Sequence, residues 1–277
     1  MGAQAASNLA ARRPLLSDGE LPAVQVINPS GLAALVFVCE HAARFIPASL
    51  GNLGLDDQAL SSHIAWDSGA FEVAIGLCRS MDAPLVASRI SRLVYDCNRA
   101  SDSPDAMPAH SENYKVPGNA HLTQAQRRDR IEQVYQPFQK TLAQVIAAKM
   151  RAGLKPAIVT IHSFTPVYGG VARQVELGIL HHQDSALADA MLAAAPKRST
   201  LNVQRNQPYG PQDQVMHTLH LHGIANGLPN VMIEMRNDLL ETDEGKNTMT
   251  AVLQNMIEQG LRASAPSAAG DPQTCQE

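Results

Sequence analysis

Short apolar runs that lack polar alternation recur along this chain, and helical patterns separate them. The runs 33–39 and 157–161 consist almost entirely of apolar residues, many of them β-branched. Runs of this kind are typical of parallel strands that are buried on both faces. Because strands and helices alternate, we predict a single α/β domain with a mostly parallel, mixed central sheet and helices on both faces.

The same patterns predict the remaining elements. Strands are expected over 24–28, 84–88, 175–181, 201–205 and 230–235, and helices over 68–81, 123–152, 184–195, 213–222 and 243–261. The runs 24–28 and 201–205 are expected at the edges of the sheet. Thr123 is expected to cap the longest helix and Gly153 to end it.

Composition limits the domain and its partners. Residues 1–20 contain no apolar stretch of a secretory signal, and 263–277 are rich in Ala, Ser, Pro and Gly. We expect both segments to be disordered and the folded domain to span 21–262. A net charge of −4 without a basic block argues against nucleic-acid binding. No run approaches the roughly 20 apolar residues of a membrane span.

Four scattered cysteines form no Cys-x-x-Cys pair. Cys39 and Cys78 lie inside apolar runs, where buried free thiols are expected. This usage favours a reducing, cytoplasmic location.

Two histidines come at the ends of predicted buried strands, where open α/β sheets bind their ligands. His41 follows the first run directly after Glu40, and His162 follows the run 157–161. Imidazole can bind zinc, and Glu40 could bind the same metal or orient a ligand. The alternative is that this pair is simply a polar strand end that faces water. Ser163 could be a nucleophile with His162 as its base, but no Gly-x-Ser-x-Gly motif surrounds it, so a serine hydrolase is a minor interpretation.

Two carboxylates have both a structural and a chemical interpretation. Asp67 stands where a helix N-cap is expected, although a carboxylate ligand at a helix start is the alternative. Glu234 lies in an apolar strand, where a carboxylate is costly unless it is paired or protonated. It could pair with Arg236 on the same face of the strand. It could also be a general base close to a metal-bound water.

The segment 88–99 concentrates arginines directly after a strand. Arg89, Arg92 and Arg99 accompany Asp96 and Asn98. Guanidinium groups bind carboxylates through paired hydrogen bonds, so the segment favours recognition of an acidic substrate. A solvated ion-pair network is the alternative.

A second group of polar candidates lies further along the chain. Asn206, Tyr209 and His217 are candidates for binding, whereas the tract with His220 and His222 has low specificity for a metal. The long segment 99–121 has no period and is expected to be a functional loop.

Taken in order, these clusters resemble the N-formylglutamate amidohydrolase family. The motifs are Cys-Glu-His-Ala, Trp-Asp-Ser-Gly-Ala, Ser-Arg-x-Ser-Arg-Leu-x-x-Asp-x-Asn-Arg, Ile-His-Ser-Phe and Ile-Glu-Met-Arg. They run from 36 to 240, and the arginine-rich motif is the most specific. That family is similar in fold to zinc-dependent exopeptidases and to the zinc amidases that trim peptidoglycan.

The resemblance implies a set of roles for the site. His41, Asp67 and His162 would hold Zn²⁺ or another divalent metal, and Glu234 would be the catalytic base. Glu40 competes with Asp67 as the acidic ligand and stays a candidate for a catalytic role.

The resemblance also implies a reaction, the hydrolysis of N-formyl-L-glutamate to formate and L-glutamate in histidine degradation. The residues expected to bind this substrate are Arg89, Arg92, Asn98, Arg99, Asn206, Tyr209, His217 and Arg236. One alternative is a zinc amidohydrolase for another N-acylated acidic amino acid or a γ-glutamyl peptide. An alternative of another class is a carboxylate-binding protein without catalysis.

Overall fold

The structure, a computed structural model, describes residues 14–196 and 201–264. Its strands are β1 Val24–Ile27, β2 Leu35–Cys39, β3 Leu85–Ser88, β4 His110–Ser111, β5 Tyr114–Lys115, β6 Ala157–Phe164, β7 Val167–Tyr168, β8 Val171–Ala172, β9 Leu177–Leu180, β10 Val203–Arg205 and β11 Asn230–Arg236. Its α-helices are α1 Asp57–Ser61, α2 Ala70–Ser80, α3 Gln124–Arg130, α4 Gln136–Arg151, α5 Ala186–Ala193 and α6 Asp243–Ser264.

Seven of these strands form the central sheet, in the order β1-β3-β2-β6-β11-β9-β10. The pairs β3–β2, β2–β6, β6–β11 and β9–β10 are parallel, whereas β1–β3 and β11–β9 are antiparallel. The prediction of a mostly parallel, mixed sheet is therefore confirmed. The strands predicted at the edges, β1 and β10, are the two edge strands.

Helices cover both faces of the sheet, as the uninterrupted apolar runs predict. One core cluster contains Phe37 of β2 with Leu77 of α2 and Leu253 of α6. The other contains Val38 of β2 with Leu142 of α4. Neighbouring residues of one strand thus enter opposite cores, which is why β2 has no polar face.

Strand β6 extends beyond the predicted end and contains His162. It continues to Phe164 because β11 pairs alongside it as far as Arg236, opposite Phe164. Helix α2, in contrast, begins later than predicted. Gly69, at a φ of 78°, occupies its N-cap, so Asp67 does not cap this helix.

Two predicted helices differ from continuous α-helix. Thr123 caps α3 with a capping box, as predicted, and Gly153 follows α4 at a φ of 81°. Between α3 and α4 the segment Ile131–Tyr135 forms a π-helix. The predicted helix 213–222 is instead a 3-10 turn at Pro211–Asp213 and a π-helical turn at Leu219–Gly223.

Short 3-10 turns complete the secondary structure. They are Ala48–Gly54, Pro104–Ala106, Pro117–Asn119, Ile224–Asn226 and Asn237–Leu240.

The segments predicted to be disordered lie mostly outside the described residues. Residues 1–13 and 265–277 lie outside the described residues. Of the two predicted segments, the structure describes 14–20 and 263–264. There Leu15 is buried and its N–H donates to Oε1 of Gln133 at 2.6 Å, and α6 continues to Ser264. Cys39, Cys78 and Cys97 are free thiols, and the first two are buried as predicted.

No helix in 14–196 or 201–264 combines the length and the apolar character needed to cross a membrane.

Gly178 in β9 lets a loop approach the sheet closely. A Cβ atom at this position would lie 1.9 Å from the carbonyl oxygen of Gln207. The backbone of segment 206–210 therefore crosses directly over β9, next to the point where Gly178 pairs with Glu234 of β11.

Candidate metal centre and its cavity

Three neighbouring strands bring the predicted ligands and base to the same end of the sheet. His41 follows β2 by two residues, and His162 and Glu234 lie in register on β6 and β11. Asp67 joins them from the loop that precedes α2, where its N–H donates to the carbonyl of His41 at 3.0 Å. These are carboxyl ends of parallel strands, where the sequence pattern predicted the site.

The side chains of His41, Asp67 and His162 form a buried triangle. Oδ2 of Asp67 lies 3.1 Å from Nδ1 of His41 and 2.9 Å from Nδ1 of His162. The two Nδ1 atoms are 3.2 Å apart. Ligand atoms about 2.0–2.2 Å from a tetrahedral zinc ion are separated by roughly 3.3 Å. The three atoms therefore have the chemistry and the spacing of a three-ligand metal site.

A carboxylate lies behind each histidine. Oδ1 of Asp96 is 2.7 Å from Nε2 of His41, and Oε2 of Glu40 is 3.2 Å from Nε2 of His162. Both carboxylates are buried. Carboxylates in this position fix the tautomer of a metal-binding histidine and raise its basicity. Glu40 therefore lies where it can orient His162, one of the two roles that its sequence position left open, and it does not line the cavity.

Arg92 balances part of this negative charge. Its Nη1 lies 3.3 Å from Oδ1 of Asp67, and its Nη2 lies 2.9 Å from Oδ2 of Asp96. Burial alone would raise the pKa of both carboxyl groups. The neighbouring His41 and Arg92 outweigh burial and hold both pKa values well below the usual range. Asp67 and Asp96 are therefore ionised, and Arg92 is already engaged by two carboxylates.

Glu234 has a different electrostatic environment. It is 5 % exposed, and its Oε2 has no hydrogen-bond partner among the described residues. Burial, reinforced by Asp67 and opposed by His162, raises its pKa to about 7. Such a group can accept and release a proton near neutral pH.

The structural pair between Glu234 and Arg236, one of the two interpretations of Glu234, does not form. Arg236 instead pairs with Glu176 at 3.0 Å and with Asp238 at 2.8 Å. Glu234 is thus left without a cation on its own strand.

One cavity connects the triangle, Glu234 and the polar residues around them. Besides these four residues, its lining includes His63, Arg92, Asp96, Asn98, Arg99, Ser111, Glu112, Ser163, Phe164, Thr165, Tyr168, Tyr209 and Val215. Four of the eight residues predicted to bind substrate are among them: Arg92, Asn98, Arg99 and Tyr209.

Arg99 has its charge free for a ligand. Its Nη1 donates to the carbonyls of Asp213 and Gln214 at 3.1 and 2.7 Å. No carboxylate of the described residues lies within ion-pair distance. Asn98, in contrast, uses its amide within the protein: it donates to Val215 O and accepts from the N–H of Thr218 at 3.0 Å.

Two of the predicted binding residues lie near the edges of the sheet. Nη2 of Arg89 donates to Oε1 of Gln25 on β1 at 2.9 Å. Asn206 accepts a hydrogen bond from the N–H of His181 at 2.9 Å. Neither lines the cavity, and each is engaged in a hydrogen bond elsewhere in the protein.

The other two also contact the protein outside the cavity. Nε2 of His217 lies 2.8 Å from the hydroxyl of Tyr135. Arg236 forms the ion pairs described above, and its Nη1 donates to the carbonyl of Arg173 at 3.3 Å. Both are placed to hold neighbouring segments together.

Ser163 is not arranged as a nucleophile. Its Oγ donates to the carbonyl of Ser68 at 2.8 Å. The adjacent His162 directs its ring nitrogens to Asp67 and Glu40. The serine therefore lacks the base that a hydrolytic serine needs.

Several cavity residues were not predicted from the sequence. Asp96 belongs to the arginine-rich motif, and its proximity in sequence to three arginines is a signal from which its place in the cavity could have been predicted. Glu112 comes from the loop predicted to be functional, and its Oε2 lies 3.1 Å from Nε2 of His63. Arg173 does not line the cavity but contacts three of its aromatic residues, and it has no local signal in the sequence.

The chain is similar to one protein family and to solved structures. A family model described as N-formylglutamate amidohydrolase matches residues 33–241. The crystal structure of gene product Atu2144 from Agrobacterium tumefaciens is 48 % identical, covers 90 % of this chain and 98 % of its own, and superposes with a TM-score of 0.88.

A second crystal structure, N-formylglutamate amidohydrolase from Ralstonia eutropha JMP134, is 19 % identical and has a TM-score of 0.63. The match covers 88 % of this chain and 98 % of that one, which supports the fold. A comparison with curated proteins found no match.

Proposed function

The chain belongs to the N-formylglutamate amidohydrolase family of amide hydrolases, and on this premise we propose that it converts N-formyl-L-glutamate to formate and L-glutamate. The observation that carries the proposal is the buried triangle of His41, Asp67 and His162, which shares one cavity with Glu234, whose Oε2 has no hydrogen-bond partner among the described residues. We place the reaction in histidine degradation. The free, buried thiols support a cytoplasmic location.

The chemistry of the three donors fits Zn²⁺. Two imidazoles and one carboxylate leave one corner of a tetrahedron open, which is the pattern of catalytic zinc sites. A Zn²⁺ ion held there would lower the pKa of a water molecule toward 7 and polarise the amide carbonyl. Asp96 and Glu40 keep both histidines oriented with Nδ1 toward the centre of the triangle.

Glu234 moves the proton in this proposal. Its carboxylate accepts a proton from the attacking water, whose oxygen bonds to the formyl carbon. The π electrons of the carbonyl move to its oxygen, and they return when the C–N bond breaks. Glu234 then delivers the proton to the leaving nitrogen. A pKa of about 7 suits both directions of transfer.

Arg99 is the group we assign to a substrate carboxylate. Arg92 is engaged by Asp67 and Asp96, so its charge is already compensated. Among the described residues, Arg99 is held by backbone carbonyls alone, which orient the guanidinium without neutralising it. A charge-assisted pair with a carboxylate is about twice as strong as a neutral hydrogen bond.

Formate release tests the proposal. Purified protein is incubated with N-formyl-L-glutamate, and formate is measured in the metal-loaded state, after chelation and after zinc is restored. We expect release that chelator removes and zinc restores. N-acetyl-L-glutamate and γ-glutamyl peptides are assayed in parallel, since preference for one of them would reassign the substrate. Tight glutamate binding with no hydrolysis of any of them would favour a carboxylate-binding protein.

A further inference from the structure

The hydroxyl group of Tyr209, a residue that lines the cavity, accepts a hydrogen bond but has its own proton available to a ligand. The tyrosine lies in the loop that crosses β9 at Gly178, beside the strand of Glu234. Its ring packs against an apolar cluster that includes Leu180 and Met216. The hydroxyl accepts a hydrogen bond from Nη2 of Arg173 at 3.2 Å, and no described residue accepts a hydrogen bond from it. The O–H is therefore free to donate into the cavity that Tyr209 lines.

Arg173 is held against this hydroxyl by contacts on several sides. Its guanidinium carbon lies 4.6 Å from the ring centre of Tyr168, 5.0 Å from that of Tyr209 and 5.5 Å from that of Phe164. Nη1 donates to the carbonyl of Thr165 at 3.4 Å. No carboxylate of the described residues pairs with it. Its positive charge thus remains uncompensated beside the phenol oxygen, which polarises the O–H bond.

The proposed reaction would be accelerated by a hydrogen-bond donor in this cavity, in addition to the metal. When water adds to the formyl carbon, negative charge develops on the former carbonyl oxygen, and donors fixed in advance toward that oxygen lower the barrier most. Arg92 donates to carboxylates, and Nη1 of Arg99 donates to backbone carbonyls. Tyr209 is a neutral donor that lines the same cavity as Glu234, Phe164 and Thr165, and its ring packs against Leu180 and Met216.

We propose that Tyr209 donates a hydrogen bond to the oxyanion formed on the substrate carbonyl, and that Arg173 is a positioning residue that orients and polarises this donor. The proposal deepens the hydrolase function proposed above and rests on it. Burial, together with the carboxyl group of Glu234, raises the pKa of Tyr209 to about 12, although Arg173 opposes the rise. The phenol therefore keeps its proton at neutral pH and acts as a donor.

The first test replaces Tyr209 by phenylalanine, which keeps the ring and removes only the hydroxyl. We expect kcat to fall by about 10²–10³-fold, as for other oxyanion donors, while KM stays within threefold and the zinc content stays that of the parent. Tyr114→Phe is the matched control, because Tyr114 lies on β5 and does not line the cavity. A change of kcat below threefold in Tyr209→Phe, or a loss confined to KM, overturns the proposal.

A binding measurement gives a second readout. N-phosphono-L-glutamate, which has a tetrahedral phosphorus in place of the formyl carbon, carries the negative oxygens of the intermediate. By calorimetry, Tyr209→Phe should bind it about 10²-fold more weakly and bind L-glutamate as the parent does. Retained glutamate binding also shows that the variant is folded. Equal losses for both ligands would overturn the proposal.

A double-mutant cycle tests Arg173. Arg173→Met should lower kcat about tenfold through the phenol, with Arg173→Lys recovering part of the loss, and should have no further effect in the Tyr209→Phe background. Additive effects would contradict the positioning role. If the parent hydrolyses another acylated amino acid, the cycle uses that substrate. If the parent hydrolyses no acylated amino acid, the proposed function fails. The variant-to-parent ratios of Kd for N-phosphono-L-glutamate and for L-glutamate still decide whether Tyr209 donates to a negative oxygen.

Discussion

Oδ1 of Asp96 lies 2.7 Å from Nε2 of His41, so the histidine presents its other nitrogen to Asp67 and His162. Asp96 thereby determines which tautomer of His41 faces the centre of the triangle. The same carboxylate accepts a hydrogen bond from the N–H of Asn98 at 2.9 Å. The arginine-rich motif thus contributes to the candidate metal centre as well as to the cavity beside it.

Asp96→Asn should weaken zinc binding by about 10–100-fold, the usual effect of removing a carboxylate behind a metal-binding histidine. Competition with a chromophoric chelator measures the Kd. Asp105→Asn is the matched control, because Asp105 is an exposed carboxylate of the same loop. A Kd within threefold of the parent would show that Asp96 does not support the ligand.

Glu234→Gln should lower kcat by about 10²–10⁴-fold, because the isosteric amide cannot accept the proton of water. The zinc content should be unchanged. Glu40→Gln provides the contrast: Glu40 lies behind His162, so this change should lower zinc affinity and leave kcat of the zinc-saturated enzyme within about tenfold. If Glu234→Gln keeps its turnover, Glu234 is not the base. If zinc-saturated Glu40→Gln loses as much kcat as Glu234→Gln does, Glu40 is a catalytic group after all.

Arg99→Met should raise KM by about 10–100-fold, since a hydrogen bond to a charged group contributes about 1.5–3 kcal/mol. Arg89→Met is the comparison from the same motif, because Arg89 bonds to Gln25 outside the cavity. Steady-state kinetics with N-formyl-L-glutamate measure both. Equal KM values for the Arg99 variant and the parent would move carboxylate recognition to another residue.

His222 should make stability depend on pH. Burial, with His217 adding to it, lowers its pKa from 6.5 to about 4, and its Nε2 lies 2.7 Å from Oε1 of Gln139. At a pH between these two pKa values, His222 is protonated in the unfolded chain and neutral in the folded chain. The free energy of unfolding therefore falls as the pH falls. The contribution lost between pH 7 and pH 5 is about 2 kcal/mol.

The measurement is urea unfolding of metal-stripped protein at both pH values. His222→Gln should lose about 2 kcal/mol less than the parent between pH 7 and pH 5. His121→Gln, a change at an exposed histidine, should behave as the parent does. Identical pH dependence of the parent and His222→Gln would contradict this account.

The sequence predicts the sheet and the centre of the site because both depend on local patterns. Apolar runs identify β2 and β6, and their ends bring His41 and His162 together once the strands are parallel neighbours. Arg89 and Arg92 differ in role although they are three residues apart in one motif. Only the tertiary course of the turn after β3 decides which of them faces the cavity.

Other features depend on contacts between distant segments. Arg173 reaches Tyr209 across 36 residues of sequence, and no spacing rule connects them. Glu234 and Arg236 share a face of β11, yet Arg236 has Glu176 and Asp238 as nearer partners. Alternation along a strand predicts which side chains lie on the same face. Whether two of them form an ion pair depends on the residues that the surrounding loops bring close to them.

Gly178 gives the cavity a signature that can be recognised in other sequences. Glycine inside a strand usually costs about 0.5–1 kcal/mol relative to alanine, but here even a methyl group would collide with the backbone oxygen of Gln207. A homologue with a side chain at this position must route its counterpart of 206–210 differently, and its phenol would have to come from another segment. One residue without a side chain therefore separates homologues that share this cavity wall from those that share only the triangle of His41, Asp67 and His162.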